Sequence, residues 1–135
     1  MIHAYGKGDA TFQAADQEAG IRQLVDCFYD IMEANADYAT LRSWHPRNSE
    51  ISRDKLARFL CQWMGGPVRY NERYGPINIP KAHAHLKVTE AERDQWLACM
   101  KEALVQQDYP ESLVDYLLEQ LALPAEAIRR ICSTN

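Results

Sequence analysis

Apolar positions return every three or four residues along most of this chain, the period of a helix with one buried face. Ile21, Leu24, Val25, Phe28, Tyr29 and Met32 predict an amphipathic helix over residues 17–34. Residues 35–50 lose that period and carry Asn35, His45-Pro46 and Asn48-Ser49, which predicts a loop holding one helical turn. Leu56, Phe59, Leu60 and Trp63 mark a second helix over 52–64. Gly65-Gly66-Pro67 ends it, because glycine permits a left-handed exit and proline cannot continue the ladder. Pro67, Gly75, Pro76 and Pro80 keep any helix between 67 and 82 short. Thr89-Glu90-Ala91-Glu92 has the form of a capping box, and Trp96, Leu97, Met100, Leu104 and Val105 follow it at helical spacing. After the break at Asp108-Tyr109-Pro110, Leu113, Val114, Leu117, Leu118 and Leu121 predict another helix. Pro124 is expected in the first turn of a separate, short final helix carrying Ile128 and Ile131. No strand alternation competes with these patterns, so the expected class is all-α.

Composition narrows the setting without choosing a function. At 135 residues the chain fits one domain with a real core. A net charge of −4 supplies no attraction to nucleic acid or to an anionic membrane. No apolar run approaches the ~18 residues a membrane span requires. Met1-Ile2-His3-Ala4-Tyr5-Gly6-Lys7 lacks the apolar centre of a signal peptide, so a cytoplasmic protein is expected. Cys27, Cys61, Cys99 and Cys132 form no C-x-x-C pair, and the first three lie in apolar helical patterns, as reduced thiols do.

A few residues carry chemistry that a plain core would not need. His83 stands six residues before the Thr89 cap. His85 makes an H-x-H pair with it, but two such side chains on a helix diverge by ~200° and no third ligand has metal spacing. Trp96 and Tyr29 each put a polar tip on an apolar face, where a buried N–H or O–H wants an acceptor. His45, before Pro46, can provide a partner or lie exposed. Ser52, Leu56, Phe59 and Trp63 form one stripe at i, i+4, i+7 and i+11, with Lys55 at its margin. That stripe fits a packing face, and it equally fits the wall over a flat apolar cofactor. Gly6-Lys7-Gly8-Asp9-Ala10-Thr11 lacks the preceding strand and third glycine of a nucleotide loop. Neither a G-x-S-x-G motif nor paired-carboxylate spacing is present.

Over residues 18–107 the chain resembles the group II truncated haemoglobins. The resemblance rests on Phe28-Tyr29, Phe59-Leu60, Gly65-Gly66-Pro67, Tyr70, Tyr74-Gly75, His83-Ala84 and Glu92-Arg93-Asp94-x-Trp96-Leu97-x-Cys99-Met100, in that order. It implies a single globin domain across 1–135, a two-over-two helical sandwich around haem b. Residues 1–17 would be an N-terminal extension, 18–107 the haem-pocket core and 108–135 the C-terminal helices. It implies that His83 is the proximal iron ligand, that Trp96 and Tyr29 donate hydrogen bonds to the bound gas, and that His45 faces the gas or Tyr29. The implied cofactor contacts are Trp44, Ser52, Lys55, Leu56, Phe59, Trp63, Tyr70, Lys81, His83, Leu86, Trp96 and Met100, with Lys55 and Tyr70 toward the propionates. Two departures stand out. Relatives often carry arginines where this chain has Pro80-Lys81-Ala82, and proline and phenylalanine where it has His85 and Leu86, which leaves His85 as a competing ligand.

The function so implied is reversible binding of O2, and of NO, CO or peroxide, by a monomer or weak homodimer. The alternative is a redox enzyme, peroxidase-like or oxidising nitric oxide, fed by an external reductase. A third is a cofactor-free helical interaction module whose aromatics are all core.

Overall fold

The computed structural model describes residues 5–133, and every regular element among them is helical. A short α1 spans Ala10–Ala14 and leads into α2, Gln17–Ala34. A 3-10 turn (Ala36–Tyr38) and α3 (Ala39–Ser43) occupy the predicted loop, adding slightly more helix than one turn. Next come α4, Glu50–Trp63, and two short pieces, α5 (Arg69–Tyr74) and α6 (Ile79–Ala82). Two long helices complete the chain, α7 from Glu90 to Gln106 and α8 from Glu111 to Ser133.

The layers follow from the apolar faces. α2 packs against both α4 and α7, and α7 packs against α8, so α2–α4 and α7–α8 form two layers joined through α2 and α7. Between them Ile21, Leu24, Phe28, Met32, Leu60, Met100, Leu104 and Leu117 are all but fully buried. Such side chains each contribute about 1.5–3 kcal/mol on burial. The α7 start is capped as its sequence predicts. Thr89 Oγ1 accepts from the Ala91 N–H at 3.2 Å, and Glu92 Oε1 accepts from the Thr89 N–H at 3.1 Å.

Pro124 corrects the sequence expectation at the C-terminus. It lies inside a continuous α8 and starts no new helix. Proline removes one ladder bond and costs about 3 kcal/mol or more in a helix interior. Packing on both sides of it offsets that cost. Leu113, Val114, Leu117 and Leu121 are buried before it, and the turns after it pack against α6.

The N-terminal segment is stitched to the same core. Phe12 and Ala15 are buried, and the Phe12 N–H donates to the Met64 carbonyl at 3.1 Å. Tyr109 O–H donates to the Ala15 carbonyl at 2.8 Å. Gly65 makes this clasp possible, with φ at +91° and a position where a Cβ would overlap the Gly8 carbonyl oxygen. Gly65→Ala is therefore expected to lower the unfolding temperature by about 5 °C or more, since left-handed backbone alone costs an alanine ~1–2 kcal/mol. Thermal unfolding followed by circular dichroism reads this directly, and an unchanged midpoint would show that the clasp contributes nothing.

On the far side, Asp54 of α4 accepts from Arg22 of α2 at 2.9 Å, Arg58 at 2.9 Å and Tyr74 of α5 at 2.6 Å. Partial burial alone would raise its pKa, but these three donors hold it down at about 2. One carboxylate thus ties three helices together beside the cavity described next.

Candidate functional site

A cavity of about 440 Å³ opens between the two layers, within the range of clefts that hold a small cofactor. α2 contributes Tyr29, the α3 end contributes Trp44 and His45, and α4 contributes Ser52, Lys55, Leu56 and Phe59. Tyr70, the α6 segment with His83, His85 and Leu86, and Trp96 of α7 complete the predicted part of the lining.

His83 is set by local chemistry. Asn78 caps α6, its side chain accepting from the Lys81 N–H at 3.1 Å, and Pro80 pre-forms the first turn. The four-residue helix delivers His83 at its C-terminal cap, where Nδ1 lies 2.7 Å from the Ile79 carbonyl. A carbonyl only accepts, so Nδ1 carries the proton and Nε2 keeps a free lone pair. That is the tautomer a metal-ligating imidazole needs, oriented by its other nitrogen. From α8, the Cys132 thiol donates to the His83 carbonyl at 3.3 Å and braces the same residue. His85 also lines the cavity but is exposed and lacks any such anchor among the described residues.

His45 is held in the same way, its Nδ1 2.8 Å from the Leu41 carbonyl. Burial pushes its pKa down, against the pull of that carbonyl, and nearby Arg42 and His83 push in the same direction as burial. It therefore sits in the cavity as a neutral base whose Nε2 accepts and does not donate.

Two donors remain. Tyr29 is 4% exposed, its ring edge-on to His45 at 5.4 Å and to Phe28 at 5.3 Å. Burial pushes its hydroxyl up to about 12, so it stays a protonated donor. Trp96 lies against Phe28 with ring centroids 5.3 Å apart. Neither the Tyr29 O–H nor the Trp96 N–H has a hydrogen-bond partner among the described residues, although both side chains line the cavity. A donor group on an otherwise apolar wall wants an acceptor, and two on one cavity mark a place for one.

Three of the expected contacts do not line this cavity. Met100 of α7 is wholly buried in the core, Lys81 is exposed, and Trp63 packs at the far end of α4. The Ser52–Leu56–Phe59 stripe was legible, but Trp63 lies ~16 Å along the axis from Ser52, beyond the cavity's reach. Sequence spacing missed one wall altogether. Leu121, Pro124, Ala125 and Ile128 of α8 line the cavity at i, i+3, i+4 and i+7, outside the 18–107 span. Their stripe is visible in the sequence once Pro124 is allowed inside a helix.

The residues suit a flat apolar prosthetic group carrying a metal. Aliphatic and aromatic side chains dominate the walls, the anchored imidazoles of His83 and His45 each offer a lone pair, and two unpartnered donors line the same space. Among the described residues no cluster of three His, Cys, Asp or Glu is placed to hold a bare metal ion. None of the described helices is long and apolar enough to cross a membrane.

Comparison with known proteins gives one consistent answer. The family model for bacterial-like globins matches residues 10–130. The group 2 truncated hemoglobin YjbI of Bacillus subtilis is 31% identical over 117 residues, covering 87% of this chain and 86% of that one. Among solved structures, a cold-adapted truncated hemoglobin from the Antarctic bacterium Pseudoalteromonas haloplanktis superposes with a TM-score of 0.83 at 26% identity, covering 87% and 95% of the two chains. A truncated oxygen-avid haemoglobin from Bacillus subtilis gives 0.80 at 28% identity, covering 87% and 97%.

Proposed function

Since this chain belongs to the bacterial-like globins, and among them to the group II truncated haemoglobins, we propose that it holds haem b in the cavity and reversibly binds O2 there. The family implies haem and a diatomic ligand, and the assignments to individual residues are ours. Haem would supply an iron able to take a ligand from the protein and a diatomic gas. His83 Nε2 would hold that iron, supported by the Nδ1–Ile79 contact, which places the proton of the neutral ring on Nδ1. The Trp96 N–H and Tyr29 O–H would donate to the gas ligand, and the carrying observation is that both stand unpartnered on the cavity wall among the described residues. Leu56, Phe59, Leu86 and the α8 stripe exclude water, which strengthens those hydrogen bonds. Lys55 and Tyr70, both on the lining, are the residues we assign to the propionates.

His45 favours a second, enzymatic reading beside the first. A neutral Nε2 facing the cavity can take a proton from a peroxide, and the Tyr29 and Trp96 donors suit the negative charge that results. Electrons for turnover, or for nitric oxide oxidation, would come from an external reductase.

The test is titration of the purified apoprotein with haem. A Soret band that saturates at one equivalent and shifts under carbon monoxide after reduction is expected, with pyridine extraction reporting type b. A protein that binds no haem would leave the unpartnered donors unexplained and return the molecule to a cofactor-free helical module.

A further inference from the structure

Arg53 lies outside the cavity, on the next position of α4 after Ser52, yet it meets the back of a cavity residue. Its guanidinium carbon stands 5.5 Å from the centre of the Tyr29 ring. Few charged groups in the molecule are pinned so fully. The guanidinium donates to Asp30 at 2.9 Å, Asp26 at 3.2 Å and Glu33 at 3.2 Å, all on α2, and to Ser49 Oγ at 2.8 Å. The side chain is 21% exposed, so the cation is partly shielded from water. Ser49 itself is buried, and it anchors the arginine to the start of α4.

We propose that Arg53 is a positioning residue for gas binding, fixing the Tyr29 ring and strengthening its hydroxyl as a hydrogen-bond donor. The inference rests on the reading of Tyr29 as a donor to the gas ligand. A cation over an aromatic face is attracted by the ring quadrupole, which holds the ring against rotation between Arg53, Phe28 and His45. The same charge draws electron density from the phenol, so the O–H gives its hydrogen bond more readily. In line with this, burial raises the Tyr29 pKa, the Arg53 charge opposes it, and Cys99 and Glu33 add smaller upward pushes. The three carboxylates explain why the arginine stays where it is: they are on the helix that carries Tyr29, so ring and cation move as one body.

The experiment compares Arg53→Gln, Arg53→Met and Arg53→Lys in the haem-loaded protein, each with Tyr29 intact and with Tyr29→Phe. O2 release is followed by flash photolysis, and the C–O stretching frequency of the carbon monoxide form by infrared absorption. With Tyr29 present, both neutral variants are expected to release O2 about two- to fivefold faster and to shift the C–O stretch, with Lys retaining most of the parent behaviour. In the Tyr29→Phe background neither readout should move. Equal changes in both backgrounds would mean that Arg53 only braces α2 on α4, and would overturn the inference. An effective Tyr29→Phe beside inert Arg53 variants would also overturn it, while leaving Tyr29 as donor. An inert Tyr29→Phe would overturn both. Using Gln, which keeps hydrogen bonds to the carboxylates, beside Met guards against loss of fold as the cause.

Discussion

His83→Ala is expected to abolish the normal Soret spectrum and weaken haem binding by an order of magnitude or more, with added imidazole restoring much of both. The reasoning starts from one short distance. Nδ1 of His83 donates to the Ile79 carbonyl at 2.7 Å, so Nε2 faces its surroundings as a lone pair in a fixed direction. Loss of even an outer-shell group that orients a metal ligand typically costs about 10- to 100-fold in metal affinity, and loss of the ligand itself is expected to cost no less. Free imidazole can enter the space left by the truncated side chain, which makes rescue specific for ligation and not for fold. The replacement removes a side-chain bond but leaves the His83 carbonyl, so the brace from Cys132 survives. The rival is His85, which is exposed yet on the lining. A spectrum unchanged in His83→Ala and lost in His85→Ala would transfer the ligand to His85.

Trp96→Phe and Tyr29→Phe are each expected to speed O2 release by about 10- to 100-fold, because a hydrogen bond to a charged acceptor contributes ~1.5–3 kcal/mol. Both replacements keep an aromatic ring in place. The Trp96–Phe28 contact and the edge-on Tyr29 packing therefore survive while the donor is removed. The two donors face one ligand, so the double variant should fall short of the product of the single effects. Flash photolysis of the haem-loaded proteins supplies the rates. If both single variants released O2 at the parent rate, the cavity donors would have no part in retention. His45 is expected to behave differently. As a neutral acceptor tied to Leu41, it offers no donor to the gas, and Tyr29 is the group it can accept from.

The wall supplied by α8 shows how a correct local rule can mislead. Proline is favoured at the first turn of a helix, so Pro124 read as a new start. Local preference lost to packing, since apolar residues on both sides of Pro124 seat the same helix against α7 and α6. Once that helix is continuous, four residues beyond position 120 reach a cavity whose other walls come from far earlier in the chain. The opposite error attaches to Trp63. Its angular position on α4 matches Ser52, Leu56 and Phe59, but angle says nothing of how far along the axis a cavity extends. Met100 lies wholly in the core, and a helix face wide enough to meet both core and cavity cannot be divided by periodicity alone.

The sequence by itself determined the helices, their caps and the residue types available for chemistry, because these depend on neighbours within a few positions. The Thr89–Glu92 box, the Gly65-Gly66-Pro67 stop and the α2 stripe are all interactions of that range. Motif order over 18–107 also disclosed the family, which no single residue could. Tertiary structure alone decided which polar tips share a space and that Arg53 stands behind Tyr29. Those facts join groups on different helices, as Arg53 and Tyr29 are, 24 positions apart. Their meeting depends on how helix faces pack, and packing is a property of the folded whole that no local pattern contains.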